Sequence, residues 1–388
     1  RGCFGTSVPP LLEKLLVKTP ARKASVAPTR PAVTSAPIVL RKPFVAKKPD
    51  PSDDQSNELV SEFYDEAITP ADTPLESQLL TFGPFREIVP GYCWLQSSLY
   101  EPGTHMRILF ERAQLCMRQI LYRHVDWSRT KKVFDFGCGQ GVDLCMLARD
   151  HPGLTGEGFT LSPNQAARGM ANAKKHGVGD RVAMHVNNSA RDVLPGKYDL
   201  VQGFEVAHHI PLDEKQNLFS NVGEGLVTGG HLVMADFISN GAGSIDNHDV
   251  GSYFVTAATW AAQLGYAGLL VTDVVDITIE VSNFLHVDEF DDGGSDVKVV
   301  ADTMNSYNGL GKALRVGLCS YVLIDAQKVG DEVPTQQLIA QNLQGLTQLV
   351  PYAKAEPPYY RREWLHYAAT RKPFVAKKPD PSDDQSNE

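Results

Sequence analysis

The stretch Lys131–Asp150, KKVFDFGCGQGVDLCMLARD, limits what this chain can fold into more than any other. An apolar run carrying one acid, Asp135, enters the turn Gly137-Cys-Gly139-Gln-Gly141. A helical pattern follows at once, with Leu144, Leu147 and Ala148 on one face. Strand, glycine turn and helix in this order open a nucleotide-binding α/β unit. The glycines let the backbone approach a ligand closely and aim amide N–H groups at it from a helix N-terminus. The spacing is G-x-G-x-G, not G-x-G-x-x-G, which argues against a dinucleotide. An acid two residues ahead of the glycines suits a nucleoside carrying an amino acid, with Asp135 beside its cationic part.

The segments that follow keep alternating. Strands are expected at Leu154–Leu161, Arg181–Val186, Tyr198–Phe204, Gly230–Phe237, Leu269–Ile277 and Gly317–Ala326. Helices are expected after Ser162 and Pro163, at Pro211–Leu226, at Thr256–Leu264 and near Val297–Leu314, with Asp288–Asp296 as an acidic surface loop. This pattern predicts a mostly parallel sheet covered on both faces, with the ligand at the carboxyl ends of the strands. Ahead of it, Leu59, Phe63 and Tyr64 repeat at helical spacing, TPADTP breaks the pattern, and His105–His124 reads as a strong amphipathic helix. Residues 58–130 are therefore expected to form a helical lid. Its aromatics Phe82, Phe85, Tyr92 and Trp94 either line a substrate site or staple the lid to the sheet.

Residues 1–57 have a different character. Between Arg1 and Lys48 there are ten Lys/Arg and one acid, Glu13, among many Pro, Ala, Ser and Thr. Such a composition favours extended chain and reads as a spacer, with an organelle transit segment as the alternative. The segment Arg41–Glu58, RKPFVAKKPDPSDDQSNE, recurs as Arg371–Glu388. It reads as the shared linker of a tandem array, or else as an artefact of sequence assembly. The expected organisation is a linker at 1–57, a lid at 58–130, an α/β core at 131–330, and a C-terminal helix and linker at 331–388. A net charge of −9 argues against a general nucleic-acid binder. The six cysteines are scattered, without metal spacing, which points to reduced thiols and a cytoplasmic setting. No apolar run approaches the length of a membrane span.

The strings FDFGCGQG, GFTLSPNQ, NNSARDVLP before YDLV, GFEVAHHI and GGHLVMADF occur in that order. As a set this resembles the motif series of class I S-adenosylmethionine-dependent methyltransferases, over about residues 58–330. With TFGPF, IVPG and the Tyr307–Leu323 ending, the likeness is closest to the C-methyltransferase domains of polyketide synthases. The resemblance implies a Rossmann-like, mostly parallel seven-stranded sheet under an N-terminal helical lid, with S-adenosyl-L-methionine as cofactor. It implies methyl transfer to the α-carbon of a β-ketoacyl chain on the phosphopantetheine of an acyl carrier protein. It further implies neighbouring domains in a longer chain.

Carried over residue by residue, Asp135, Gly137, Gly139 and Gly141 take the methionine part and the sugar-side backbone contacts. Thr160 and Gln165 meet the ribose, and Asn188 stands where an adenine-binding Asp is common, beside Ser189 and Ala190. Phe204 and Glu205 flank the methyl donor. His208 is the implied base, paired with Asp236, and His209 is its rival. Asp236 departs from the family's more usual Glu. Phe85, Trp94 and Tyr253 are candidate substrate contacts, with packing as the other reading of each. His231 and His248 are read as structural, and no metal site is expected. Two other readings stay open. One is a free-standing O-, N- or C-methyltransferase of a small molecule, the other a catalytically silent, methyltransferase-like binding module.

Overall fold

In the computed structural model of the chain, the described residues are 57–62, 73–90, 92, 105–247, 251–287, 298–362 and 364. Residues 1–56, Tyr64, Trp94, His248, the acidic loop at 288–297 and the second copy of the repeat lie outside them.

The apolar runs become strands β1 (Lys132–Asp135), β2 (Thr155–Thr160), β3 (Val182–Val186), β4 (Tyr198–Phe204), β5 (Leu226–Ser239), β6 (Ile245–Asn247), β7 (Ser252–Thr256), β8 (Leu269–Asp276), β9 (Cys319–Lys328) and β10 (Val350–Pro351). The main sheet runs β10-β8-β9-β5-β4-β1-β2-β3, with β7 branching from β5 and carrying β6. The pairs β1–β2, β2–β3, β1–β4, β4–β5 and β8–β10 are parallel, whereas β9 is antiparallel to both β5 and β8. The seven expected strands are all present. The hairpin β6–β7 and the edge strand β10 are additions.

Helices are α1 (57–62), α2 (His105–Leu121), α3 (Val142–Asp150), α4 (Pro163–Lys175), α5 (Lys215–Gly225), α6 (Ala257–Tyr266), α7 (Thr278–Phe284), α8 (Lys298–Arg315), α9 (Thr335–Thr347) and α10 (Tyr352–Ala355). Local chemistry sets several starts. The Ser162 hydroxyl accepts from the Gln165 N–H at 3.0 Å with Pro163 in the first turn of α4, and Thr256 caps α6 through the Thr259 N–H at 3.2 Å. The fifth strand starts at Leu226 rather than Gly230. A register shift opposite Tyr198 and Leu200, with Gly229 at a φ of 82°, absorbs the intervening residues as a bulge. No helix among the described residues is long and apolar enough to cross a membrane.

Strand alternation divides the core into two layers. Val133, Leu200, Val233, Ala235, Phe237, Tyr321 and Leu323 face the lid, while Phe134, Val201, Leu232, Met234, Val322 and Ile324 pack on the other side against α5 and α6. The lid is fastened by polar contacts as well. Arg118 of α2, buried, donates to Asp143 of α3 with Nη2 to Oδ2 at 2.7 Å. Gln114 donates to the Leu79 carbonyl at 3.1 Å, and Asn172 of α4 donates to Gln78 at 2.8 Å. The segment Gln78–Phe82 is thereby held along the carboxyl ends of the central strands.

Among the described lid aromatics, Phe82, Phe85 and Tyr92 are buried in packing. Phe85 is fully buried, with ring centroids 4.6 Å from Tyr92, 5.0 Å from Phe284 and 5.2 Å from Trp364. On the same patch the Tyr360 hydroxyl donates to the Pro84 carbonyl at 2.7 Å, and Arg86 pairs with Glu356 at 2.6 Å. The end of the described chain thus packs on the lid segment around Pro84–Arg86.

Candidate active site

The glycine turn shapes the first wall. Gly139 and Gly141 have φ of 49° and 66°, the left-handed region that disfavours other residues. At Gly141 a Cβ would also lie 1.8 Å from the Met184 methyl carbon. The turn opens one cleft with an empty volume of about 1060 Å³ at the ends of β1, β2 and β4. Asp135, Gly137, Gly139, Thr160, Gln165, Asn188, Ser189, Phe204, Glu205 and His209 all line it. The lid contributes Gln78–Thr81 and Arg118, and α1 contributes Asn57, Val60 and Ser61.

Two carboxyls are buried on this cleft. Burial pushes Asp135 up to about 7, against hydrogen bonds from Gln202 Nε2 at 2.8 Å and the Gly137 N–H at 3.0 Å. Burial likewise pushes Glu205 up to about 7, against hydrogen bonds from the Tyr321 hydroxyl at 2.6 Å and the Phe82 N–H at 2.7 Å. Glu205 alone of the described non-glycine residues has a positive φ, 59°. Such strain costs about 1–3 kcal/mol and persists only where surrounding contacts hold it. Here they tie strand β9, the lid and the end of β4 to one carboxyl.

Other residues serve the walls. The Thr160 hydroxyl donates to Gln165 Oε1 at 2.9 Å, which leaves the Gln165 amide N–H groups to face the cleft. Asn188 Oδ1 accepts from the Ala190 N–H at 2.9 Å, so part of the acceptor capacity expected for adenine is spent in the turn. Ser189 donates to the Phe136 carbonyl. Ala190 belongs to the core and does not line the cleft. Gly141 opens α3 behind the lining residues rather than among them. Phe85 and Tyr253 are buried in packing away from the cleft lining, so neither touches a ligand there as the structure stands.

After β4 a single 3-10 turn, Ala207–His209, presents both histidines. His208 Nδ1 lies 3.1 Å from Asp236 Oδ1, and its backbone N–H donates to Asp236 Oδ2 at 3.1 Å. Burial would push Asp236 up, but His208 and Lys215 hold it below the ordinary carboxylate range. An ionised Asp236 requires the proton on Nδ1 and leaves Nε2 of His208 as acceptor. The ring sits beside His209 at 4.0 Å, Phe237 at 5.1 Å and Phe254 at 6.0 Å. His209 Nδ1 lies 2.8 Å from the Gly251 carbonyl, which fixes the same tautomer. Burial, with His208 adjacent, pushes His209 down to about 3, so it stays neutral.

Sequence reasoning missed Lys215. It is fully buried at the start of α5, and its Nζ donates to the Ala207 carbonyl, one residue from His208. Burial pushes it down to about 7, with Asp236 opposing. Its position in a polar helix start gave no signal, because the contact is made through the fold. His231 is structural as read, with Nδ1 2.9 Å from Asp325 on the neighbouring strand. No group of His, Cys, Asp and Glu able to hold a metal occurs among the described residues.

A Rossmann-like sheet with a reversed β9, a glycine turn and acids at the strand ends defines a nucleoside-cofactor transferase site. A family model described as a methyltransferase domain matches residues 134–232. Polyketide synthase ThaQ of Burkholderia thailandensis is 31% identical over 269 residues, which is 69% of this chain and 13% of that protein. The solved StiE O-MT (residues 942–1257) is 35% identical, covering 76% of this chain and 99% of that one, with a TM-score of 0.65. An O-methyltransferase from a trans-AT PKS multienzyme of Brevibacillus brevis, solved with S-adenosyl-L-homocysteine, is 26% identical. It covers 76% of this chain and 99% of its own, with a TM-score of 0.67. The chain belongs to the class I S-adenosylmethionine-dependent methyltransferases, among relatives that are domains of polyketide synthases.

The cleft fits that cofactor. Two buried carboxyls displaced upward face a space where a cationic ligand would favour their ionised forms. Asn57 Nδ2 is buried without a hydrogen-bond partner on the same cleft.

Proposed function

We propose that the chain methylates an oxygen of an acyl chain carried on the phosphopantetheine of an acyl carrier protein. The observation that carries this is the His208–Asp236 pair, held through Nδ1 on the turn whose next residue, His209, lines the cleft, with Nε2 left as acceptor. Asp135, the glycine turn, Thr160, Gln165, Asn188 and Glu205 hold S-adenosylmethionine, whose sulfonium makes its methyl group transferable. The bound cofactor would supply the methyl group, its carbon–sulfur bond breaking to leave the neutral thioether, and His208 Nε2 would take the proton of the acceptor hydroxyl. Asp236 keeps the imidazole in the required tautomer and steadies its cationic form. The lid excludes water and aligns the two substrates.

Oxygen is preferred over carbon for two reasons. The solved relatives above are O-methyltransferases by name, and they align over nearly their whole length. Removing a proton from carbon moves charge onto a carbonyl oxygen, which needs its own hydrogen-bond donor. The rings that surround His208 among the described residues are Phe237, Phe254 and His209, and the His209 Nδ1 proton is engaged by Gly251. The α-carbon of a β-ketoacyl chain, the acceptor implied by the motif series, is the second reading. It uses the same histidine pair.

Mass spectrometry of β-hydroxyacyl- and β-ketoacyl-carrier protein after incubation with enzyme and cofactor decides between them. A gain of one methylene on the hydroxyacyl chain, located at oxygen by fragmentation, is expected. A gain at the α-carbon of the ketoacyl chain replaces the proposal with the second reading. No gain on either chain overturns the carrier-bound substrate.

A further inference from the structure

We propose that Asn57, at the end of the repeated segment, is a cofactor-binding residue that donates to the ribose of the adenosine half. The inference rests on the cofactor of the family and not on the choice of acceptor atom. Asn57 is the penultimate residue of the first copy, Arg41–Glu58, and the same residue recurs as Asn387 in the second. A linker would have no reason to carry a side chain into the cleft. Yet Asn57 opens α1 and lines the cleft with Val60 and Ser61.

Three observations give the ligand half. First, Nδ2 of Asn57 is buried with no partner, a state that costs about 1–3 kcal/mol unless something accepts from it. Second, Ser61, one helical turn on and so on the same face, donates to the Leu161 carbonyl at 3.1 Å. That bond fastens α1 to the end of β2, beside Thr160 and Gln165. Third, Gln165 Oε1 is occupied by the Thr160 hydroxyl, so the donors at this end are amide N–H groups seeking oxygen acceptors. Ribose hydroxyl oxygens supply them, and the Asn57 and Gln165 amides would hold one sugar between them. The repeated segment then ends as part of the enzyme, with α1 closing over the nucleoside.

The test is calorimetry on the full chain with S-adenosylhomocysteine and with 5′-methylthioadenosine, which keeps the ribose and lacks the amino acid. Asn57→Leu keeps volume and Asn57→Ala removes it, and both delete the donor. Both variants are expected to weaken both ligands by the same factor, about five- to tenfold. The melting temperature without ligand should stay at or rise above the wild-type value, because an unpaired buried donor is removed, and this separates a lost contact from a lost helix. Unchanged affinity for both ligands overturns the assignment. Weakening of S-adenosylhomocysteine alone also overturns it, because Asn57 would then serve the amino-acid end. Wild-type binding, measured first, distinguishes a wrong contact from a wrong cofactor.

Discussion

Cofactor binding should be linked to protons, and Asp135 sets the size of the effect. With its carboxyl pushed up to about 7 in the free cleft, Asp135 is about half protonated at neutral pH. A bound ammonium beside it favours the carboxylate and draws the group back toward the ordinary range near 4. Binding then expels about half a proton at pH 7 and close to one near pH 6. The sign follows. Below pH 7 the free enzyme holds the extra proton, so the apparent affinity rises about tenfold per pH unit and levels off above it. Glu205, also near 7, adds up to a similar share where the ligand reaches it. Calorimetry with S-adenosylhomocysteine in buffers of differing ionisation enthalpy counts the protons. Asp135→Asn should reduce the release at pH 7 by about half a proton and weaken binding by roughly 10- to 100-fold. Equal proton release in variant and wild type would refute the reasoning, as would an affinity independent of pH in the wild type.

Further outcomes are expected. His208→Ala should cut methyl transfer by about 10²–10⁴ while cofactor affinity holds, and His209→Ala should cost less, since its Nδ1 is engaged by the Gly251 carbonyl; a larger loss in His209→Ala would move the base to that ring. Lys215→Met should lower turnover about tenfold or more by releasing the turn that carries the histidines, with Kd for the cofactor unchanged by calorimetry. Arg118→Met removes the ion pair to the half-buried Asp143 and should destabilise the fold by about 1.5–3 kcal/mol in denaturant titration. Gly203→Ala places a Cβ 2.0 Å from the Phe136 ring and should cost about 1–3 kcal/mol, read as a lower Tm.

Where local chemistry dictates structure, the chain was legible. The glycine turn, the Ser162–Pro163 helix start and the apolar strands each carry their own signal, so the sheet and most of the cleft could be placed from residue order. Strand ends converge by topology, which brought Asp135, Thr160 and Glu205 together as expected. What stayed hidden depends on tertiary geometry. Nothing in AHH shows that a 3-10 turn aims His209 at the cleft lining while His208 turns to Asp236. Phe85 and Tyr253 read as substrate contacts or as packing, with packing the commoner role of Tyr253, and only the fold shows that both side chains are buried. The hairpin β6–β7 has short strands among Gly, Asn and Asp residues, too weak a pattern to read alone. Lys215 and Asn57 gained meaning only from what surrounds them.

The aromatic patch where Phe85 meets Trp364 and Tyr360 meets Pro84 has a topological consequence. Segments 276 residues apart in sequence meet there, so the last described turns are a working part of the lid and not a tail behind it. A protease nick or a truncation between Tyr352 and Trp364 would strip one face from the lid while leaving the sheet whole. The clasp makes the far end of the chain a determinant of how firmly the cleft is covered.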